Sequence, residues 1–269
     1  MLKDITFGQY YESNSLLHKL DARVKILLMI LFIVFLFLSK NIYSLGFATL
    51  SIAFILIISK IPLKMYFKNM KAILPVLIFT AVINLFYGEG GRELFHIWKL
   101  TLTTGGIYKS VFMSLRIALL IFISSVLTYT TTPNDLTDAI ESLLSPLKFI
   151  GLKTAVHTLA MMMTIALRFI PTLIEEAEKI MNAQKARGAD LESGGLVERV
   201  KALVPILIPL LISSVRRAYD LAEAMECRCY NGGEGKTRMK QMKLSVLDLF
   251  ASFTVIVFCA VIILFNFIF

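Results

Sequence analysis

The chain has 269 residues, of which 57% are hydrophobic and 17% are charged. Ordinary soluble domains are about 45–50% apolar and about 25% charged, so this composition excludes an ordinary soluble domain and predicts a membrane protein. Three cysteines cannot form a disulfide framework, and the net charge of +9 is accompanied by no nucleic-acid-binding motif.

Four apolar runs fill the first part of the chain, which we predict to be a membrane domain over residues 1–131. A helix needs about 20 mainly apolar residues to cross a bilayer, and lysines at its ends can reach the interface. The runs therefore predict four membrane spans, over about residues 24–40, 44–59, 72–87 and 111–130. Arg116 lies inside the fourth span. We interpret it as facing the helix bundle and bonding to backbone carbonyls, with a functional intramembrane charge as the alternative.

The distribution of basic residues predicts the orientation of the membrane domain. Four basic residues precede the first apolar run, Ile26–Leu38, and four lysines lie within residues 60–71. Only Lys40 lies between that run and the second one, Leu45–Ser59. Basic loops stay in the cytoplasm, so the N-terminus and the 60–71 loop are predicted to be cytoplasmic. A fifth span within residues 244–269 then places the C-terminus outside.

Residues 132–243 are predicted to form a cytoplasmic domain of amphipathic helices. Their helical periodicity predicts three such helices, over about residues 133–145, 153–187 and 197–230. Of the 28 lysines and arginines in the chain, 15 lie between Lys148 and Lys243. That density is typical of a cytoplasmic domain apposed to the membrane.

Two apolar stretches in this domain could also be interpreted as membrane spans. They cover residues 155–170 and 202–215. We place them beside the membrane instead, because each continues directly into a charged amphipathic helix and two prolines interrupt the second stretch. In the helix that follows the second stretch, the expected apolar stripe consists of Ala218, Tyr219, Ala222, Met225 and Cys229.

Both long helical patterns end in a short arginine motif. The first ends in Ala186-Arg187-Gly188 and the second in Cys227-Arg228-Cys229. Glycine readily adopts the left-handed conformation that ends a helix, which makes Gly188 the natural stop. A cation in the last turn also interacts favourably with the helix dipole, and this local role is one explanation of the two arginines.

The pairing of the two motifs points to a second explanation. Together with the segment His18–Lys25 before the first span and the order of membrane segments, they resemble the T component of energy-coupling factor (ECF) transporters, and the resemblance covers nearly the whole chain. That family carries two Xaa-Arg-Gly motifs at the ends of two cytoplasmic coupling helices. Cys229 departs from the usual glycine, and we expect Asn231 or Gly232 to supply the helix cap instead.

The resemblance implies an all-α polytopic membrane protein with about five transmembrane helices and a cytoplasmic domain of coupling helices. Such a scaffold joins two cytoplasmic ATPases to a small membrane protein that binds a vitamin or a metal ion. Arg187 and Arg228, with their flanking residues Ala186, Gly188, Cys227 and Cys229, would then seat the helix ends in the ATPase grooves. The localisation implied is the plasma membrane of a prokaryotic cell.

The remaining candidate site is a run of three methionines, Met161, Met162 and Met163. Methionine adapts to varied shapes, so this run is either core filling or a contact surface for exchangeable substrate-binding subunits. The segment Gly232–Thr237 resembles the end of a phosphate-binding loop, but Tyr230 occupies the position of an essential glycine. We therefore expect no nucleotide site, no cofactor and no catalytic activity in this chain.

Two other functions remain open at this point. A self-contained secondary transporter would contain an inverted repeat with broken helices, which the sequence does not clearly display. A membrane anchor without a transport role is the second alternative. The transported substrate cannot be inferred, since in ECF transporters the substrate site lies on another subunit.

Overall fold

The computed structural model describes residues 10–87, 93–97, 100–146, 153–189, 195–231 and 244–268. Within these ranges the secondary structure is helical apart from one short hairpin. In chain order, the elements are α1 (Ala22–Leu38), α2 (Ile42–Ser59), α3 (Leu63–Tyr87), β1 (Glu93–Ile97), β2 (Leu100–Thr103), α4 (Thr104–Thr130), α5 (Pro133–Leu143), α6 (Lys153–Ala186), α7 (Leu196–Cys227) and α8 (Val246–Ile268). The chain divides into a membrane unit, which contains α1–α4, the hairpin and α8, and a second unit, which contains α5–α7.

Six helices of the described part are long and apolar enough to cross a membrane: α2, α3, α4, α6, α7 and α8. Helix α1 has 17 residues and α2 has 18, so α1 is only one residue shorter than the shortest of the six. The prediction of a polytopic all-α membrane protein is confirmed. Length and composition do not separate α6 and α7 from the other candidates, so their location beside the membrane stays a prediction.

The hairpin is an element that the apolar runs did not reveal. Strands β1 and β2 pair antiparallel, with Ile97 opposite Leu100. Helix α4 follows at once, capped by the Thr103 hydroxyl, which accepts the Gly106 N–H at 3.0 Å. A side chain on Gly106 would lie 2.5 Å from the carbonyl oxygen of Leu85, so glycine allows α3 and α4 to approach closely. Both helices extend beyond their predicted apolar spans.

The core of the membrane unit lies between α1, α2, α4 and α8. Its most deeply buried side chains are Phe32, Leu36, Leu45, Ala48, Ile52, Leu119, Cys259 and Ile262. Arg116 lies beside this core, where its guanidinium donates to the carbonyl oxygen of Ser39 and is 4.7 Å from the ring centroid of Phe112. Because Ser39 caps the C-terminal end of α1, the cation is placed at the negative end of that helix. This geometry agrees with the interpretation of Arg116 as a bundle-facing residue.

Asp21 and the first turn of α1 join three helix ends at one face of the membrane unit. Asp21 caps α1 by accepting the Arg23 N–H at 3.0 Å. The buried carboxylate of Asp248, at the start of α8, accepts the Asp21 N–H at 2.8 Å. The Lys25 ammonium donates to the carbonyl of Thr130, the last residue of α4, at 2.9 Å. The start of α1, the end of α4 and the start of α8 therefore meet.

The opposite face of the membrane unit contains the other ends of α1 and α8. The Asn266 side-chain amide donates to the Leu38 carbonyl and accepts the Lys40 N–H, both at 2.9 Å. Helices α1 and α8 therefore run in the same direction, and the last residues of α8 lie at the face away from the start of α1.

Candidate functional site

The first arginine motif forms a well-defined helix end. Helix α6 ends at Ala186, and Gly188 adopts the left-handed conformation with φ of 86°. The Gly188 N–H donates to the Lys185 carbonyl at 3.0 Å, and the Ala189 N–H donates to the Gln184 carbonyl at 3.0 Å. This pair of bonds is the Schellman motif, which satisfies carbonyls that the helix itself leaves without donors.

The second motif has the same geometry, with cysteine in the place of glycine. Cys229 has φ of 54°, its N–H donates to Glu226 at 2.8 Å, and the Tyr230 N–H donates to Met225 at 3.0 Å. The expectation that Asn231 or Gly232 would cap this helix is wrong, because Cys229 itself occupies the left-handed position. For a residue with a Cβ, the left-handed conformation costs roughly 1–2 kcal/mol. The hydrogen bonds of the helix end nonetheless hold Cys229 in that conformation.

Arg187 and Arg228 occupy equivalent positions, each directly before the left-handed residue. Both side chains are exposed. Within the ranges that the structure describes, neither guanidinium has a hydrogen-bond or ion-pair partner. Each arginine therefore presents a planar, two-point donor whose geometry fits a carboxylate.

Contacts between α6 and α7 establish how the two motifs are arranged. The Glu176 carboxylate on α6 accepts from Arg217 Nη2 at 2.7 Å and from the Ser213 hydroxyl. The Gln184 side-chain amide lies 3.5 Å from the Pro205 carbonyl oxygen. Gln184 lies eight residues after Glu176 on α6, whereas its partner Pro205 lies eight residues before Ser213 on α7. The two helices are therefore antiparallel.

The antiparallel arrangement separates the two arginines. Arg187 lies 11 residues beyond Glu176, and Arg228 lies 11 residues beyond Arg217. At 1.5 Å per residue, each motif is about 16 Å from the Glu176–Arg217 ion pair, in opposite directions. The α6–α7 pair therefore presents its two arginine ends about 33 Å apart along the helix axes.

The exposed face of α7 differs from the predicted stripe. Of the predicted residues, Tyr219 is 73% exposed, and Ala218, Ala222 and Cys229 are also exposed. Met225 is the one stripe residue that is partly buried, and it follows Arg217 and Leu221 at helical spacing. The stripe was assigned from the spacing of apolar residues, whereas the Glu176–Arg217 ion pair turns the face that contains Arg217 toward α6.

Apolar side chains are exposed at and beyond the methionine run. Met162 is 58% exposed, while Met161 and Met163 are partly buried. A larger exposed patch occupies the apolar half of α7, which we name the α7 patch; its members are Leu207, Ile208, Leu211, Ile212 and Val215. These residues belong to the apolar stretch 202–215 that the sequence analysis identified, but the sequence did not show which of its side chains would be exposed.

The described residues contain no group of three or more His, Cys, Asp or Glu side chains that could hold a metal ion. Cys227 and Cys229 are both exposed free thiols. The segment Gly232–Thr237, considered above as a phosphate-binding loop, lies outside the described residues.

Comparison with known proteins identifies the family of this chain. The family described as "Cobalt transport protein" matches residues 13–240. The chain is 48% identical to the energy-coupling factor transporter transmembrane protein of Ruminiclostridium cellulolyticum, over 100% of both chains. It is 49% identical to the protein of the same name from Clostridium kluyveri, over 98% of this chain and 97% of that one. For the Bacillus subtilis protein of that name the identity is 42%, over 90% and 91%. The chain therefore belongs to the family of transmembrane T components of bacterial energy-coupling factor transporters, which are multi-pass membrane proteins.

Proposed function

We propose that this chain couples ATP hydrolysis by two cytoplasmic ATPase subunits to the uptake of a vitamin or metal ion by a membrane substrate-binding subunit. In this proposal the chain itself hydrolyses no ATP and binds no cofactor. The observation that carries the proposal is the pair of exposed arginines at opposite ends of one antiparallel helix pair. Such a pair offers one docking point to each of two ATPases.

The proposed contact is a helix end seated in a groove of each ATPase. Arg187 and Arg228 would each donate two parallel hydrogen bonds to a carboxylate in that groove. The Schellman caps support this role, because they complete the helix end and leave the preceding arginine directed outward. Closure of the ATPases on ATP would then move both ends of the helix pair.

The exposed apolar side chains supply the proposed contact with the substrate-binding subunit. Met162 and the α7 patch lie on the two helices that end in the arginine motifs. Movement of the helix ends would therefore be transmitted along the same helices to this surface. We also propose that the N-terminus is cytoplasmic and the C-terminus outside, which is supported by the basic residues before α1 and by the parallel direction of α1 and α8.

Replacement of the arginines tests the proposal. If the arginines only complement the helix dipoles, Arg187→Ala or Arg228→Ala costs a few tenths to about 1 kcal/mol and leaves assembly intact. If each seats a helix end, truncation leaves a buried carboxylate unpaired and costs roughly 2–5 kcal/mol, or about thirtyfold or more in ATPase affinity. Co-purification with the ATPases and uptake in proteoliposomes measure the difference.

Matched controls separate charge from contact. Arg216→Ala removes an exposed arginine from α7 away from its end and should leave assembly unchanged. Arg187→Lys should rescue poorly, because an ammonium cannot make the planar two-point contact. Normal co-purification and uptake by the double variant Arg187→Ala, Arg228→Ala would show that these residues do not couple the ATPases.

A further inference from the structure

Glu176 holds a polar junction between α6 and α7. Its carboxylate accepts from the Ser213 hydroxyl and from Arg217 Nη2, the latter at 2.7 Å. The side chains of Glu176 and Arg217 are 20% and 37% exposed, so the ion pair is partly shielded from solvent. A shielded pair with a further hydrogen bond is geometrically more specific than an isolated surface pair.

A second contact holds the same register eight residues away. Pro209 has no N–H, so the Pro205 carbonyl on α7 lacks the donor that a regular helix would supply. The Gln184 side-chain amide on α6 points to this oxygen at 3.5 Å. The proline thus exposes an acceptor that a neighbouring helix can use, and α6 occupies it.

The junction lies midway between the two arginine motifs, since 11 residues separate Glu176 from Arg187 and Arg217 from Arg228. We infer that Glu176 is a positioning residue, which with Ser213 and Arg217 fixes the register of α6 against α7 and so the distance between the two ATPase-docking ends. The inference rests on the proposed function. A fixed distance makes both ends move as one element, whereas sliding helices would absorb the movement of one ATPase before it reached the other end.

The distance between the helix ends can be measured on the full-length chain in nanodiscs. A spin label on Ala186→Cys and one on Cys227 report the two ends, in a background with Cys229→Gly; Cys259 is buried. The parent protein should give a narrow distribution of label-to-label distances centred at about 30 Å, because 10 residues of helix separate each label from the junction. Glu176→Ala removes the acceptor for both partners and should lose the narrow peak.

Controls and a rescue make the measurement specific. Glu175→Ala makes the same charge change one residue away, at an exposed position, and should keep the narrow peak. Exchanging the charges, with Glu176→Arg and Arg217→Glu together, should restore it. Glu176→Gln keeps an acceptor for Ser213 and should give an intermediate width.

In the reconstituted complex, Glu176→Ala should retain both ATPases, because Arg187 and Arg228 are still present. Uptake per ATP hydrolysed should fall about fivefold. This is the factor expected when a partly exposed ion pair no longer favours one register of α6 against α7 over the others. A distribution as narrow in Glu176→Ala as in Glu175→Ala overturns the inference. If the peak is lost but Arg187→Ala and Arg228→Ala leave ATPase binding intact, the positioning role stands and the proposed function fails.

Discussion

Replacing Cys229 by glycine should strengthen the end of α7. Cys229 adopts a left-handed conformation with φ of 54°, and its thiol is exposed. Relief of the left-handed strain stabilises the glycine variant by roughly 1–2 kcal/mol. The greater freedom of glycine in the unfolded chain destabilises it by about 0.5–1 kcal/mol. No packing is lost, so the net stabilisation is about 0.5–1 kcal/mol.

Hydrogen exchange of the Tyr230 amide measures this change directly. That N–H donates to the Met225 carbonyl and is released when the helix end opens. A stabilisation of about 0.5–1 kcal/mol should slow its exchange roughly two- to fivefold in Cys229→Gly. The effect should be confined to the end of α7, because the amides of α6 do not depend on this cap.

The end of α6 provides the inverse experiment. Gly188 has φ of 86°, and a Cβ placed there meets no atom within 4 Å. Gly188→Ala therefore adds backbone strain without a clash, and exchange of the Ala189 amide should accelerate by a similar factor.

Unchanged or faster exchange at Tyr230 in Cys229→Gly would refute the reasoning that Cys229 is a strained cap.

Two further predictions concern the membrane and the substrate-binding subunit. Thiol labelling of Lys64→Cys and of the 92% exposed Phe267→Cys, in a background without exposed native thiols, should occur from opposite sides of the membrane, and reaction of both from the cytoplasm would eliminate the five-span topology. Met162→Glu should impair co-purification of the substrate-binding subunit and retain the ATPases, because a charge in an apolar contact is costly. Thr164→Glu on the other side of α6 is its control, and loss of both partners in Met162→Glu would indicate misfolding.

The sequence predicted the helical class and the two arginine-terminated helices because these depend on local signals. Apolar runs report helix length, and the Ala186-Arg187-Gly188 pattern marks a helix end. The register of α6 against α7 could not be predicted, since it depends on which polar groups meet across the interface. The Glu176–Arg217 pair is one of many charge combinations that the two sequences allow.

The conformation of Cys229 was misjudged for a related reason. Residue preference favoured a cap at Asn231 or Gly232, whereas the hydrogen bonds at the helix end place Cys229 in the left-handed position. The preference is worth roughly 1–2 kcal/mol, which the remaining contacts of the helix outweigh. The hairpin was missed because two strands of five and four residues produce no extended apolar signal.

The bond between Asp248 and the Asp21 backbone has a consequence for biogenesis. Helix α8 is synthesised after α1–α7, yet it packs against α1 and α2. Until α8 arrives, the core cluster that contains Phe32, Leu45 and Ala48 lacks Cys259 and Ile262, the buried side chains that α8 contributes to it. Helices α5–α7 are therefore synthesised before the membrane unit is complete, and a truncation ahead of Val246 would leave its core open.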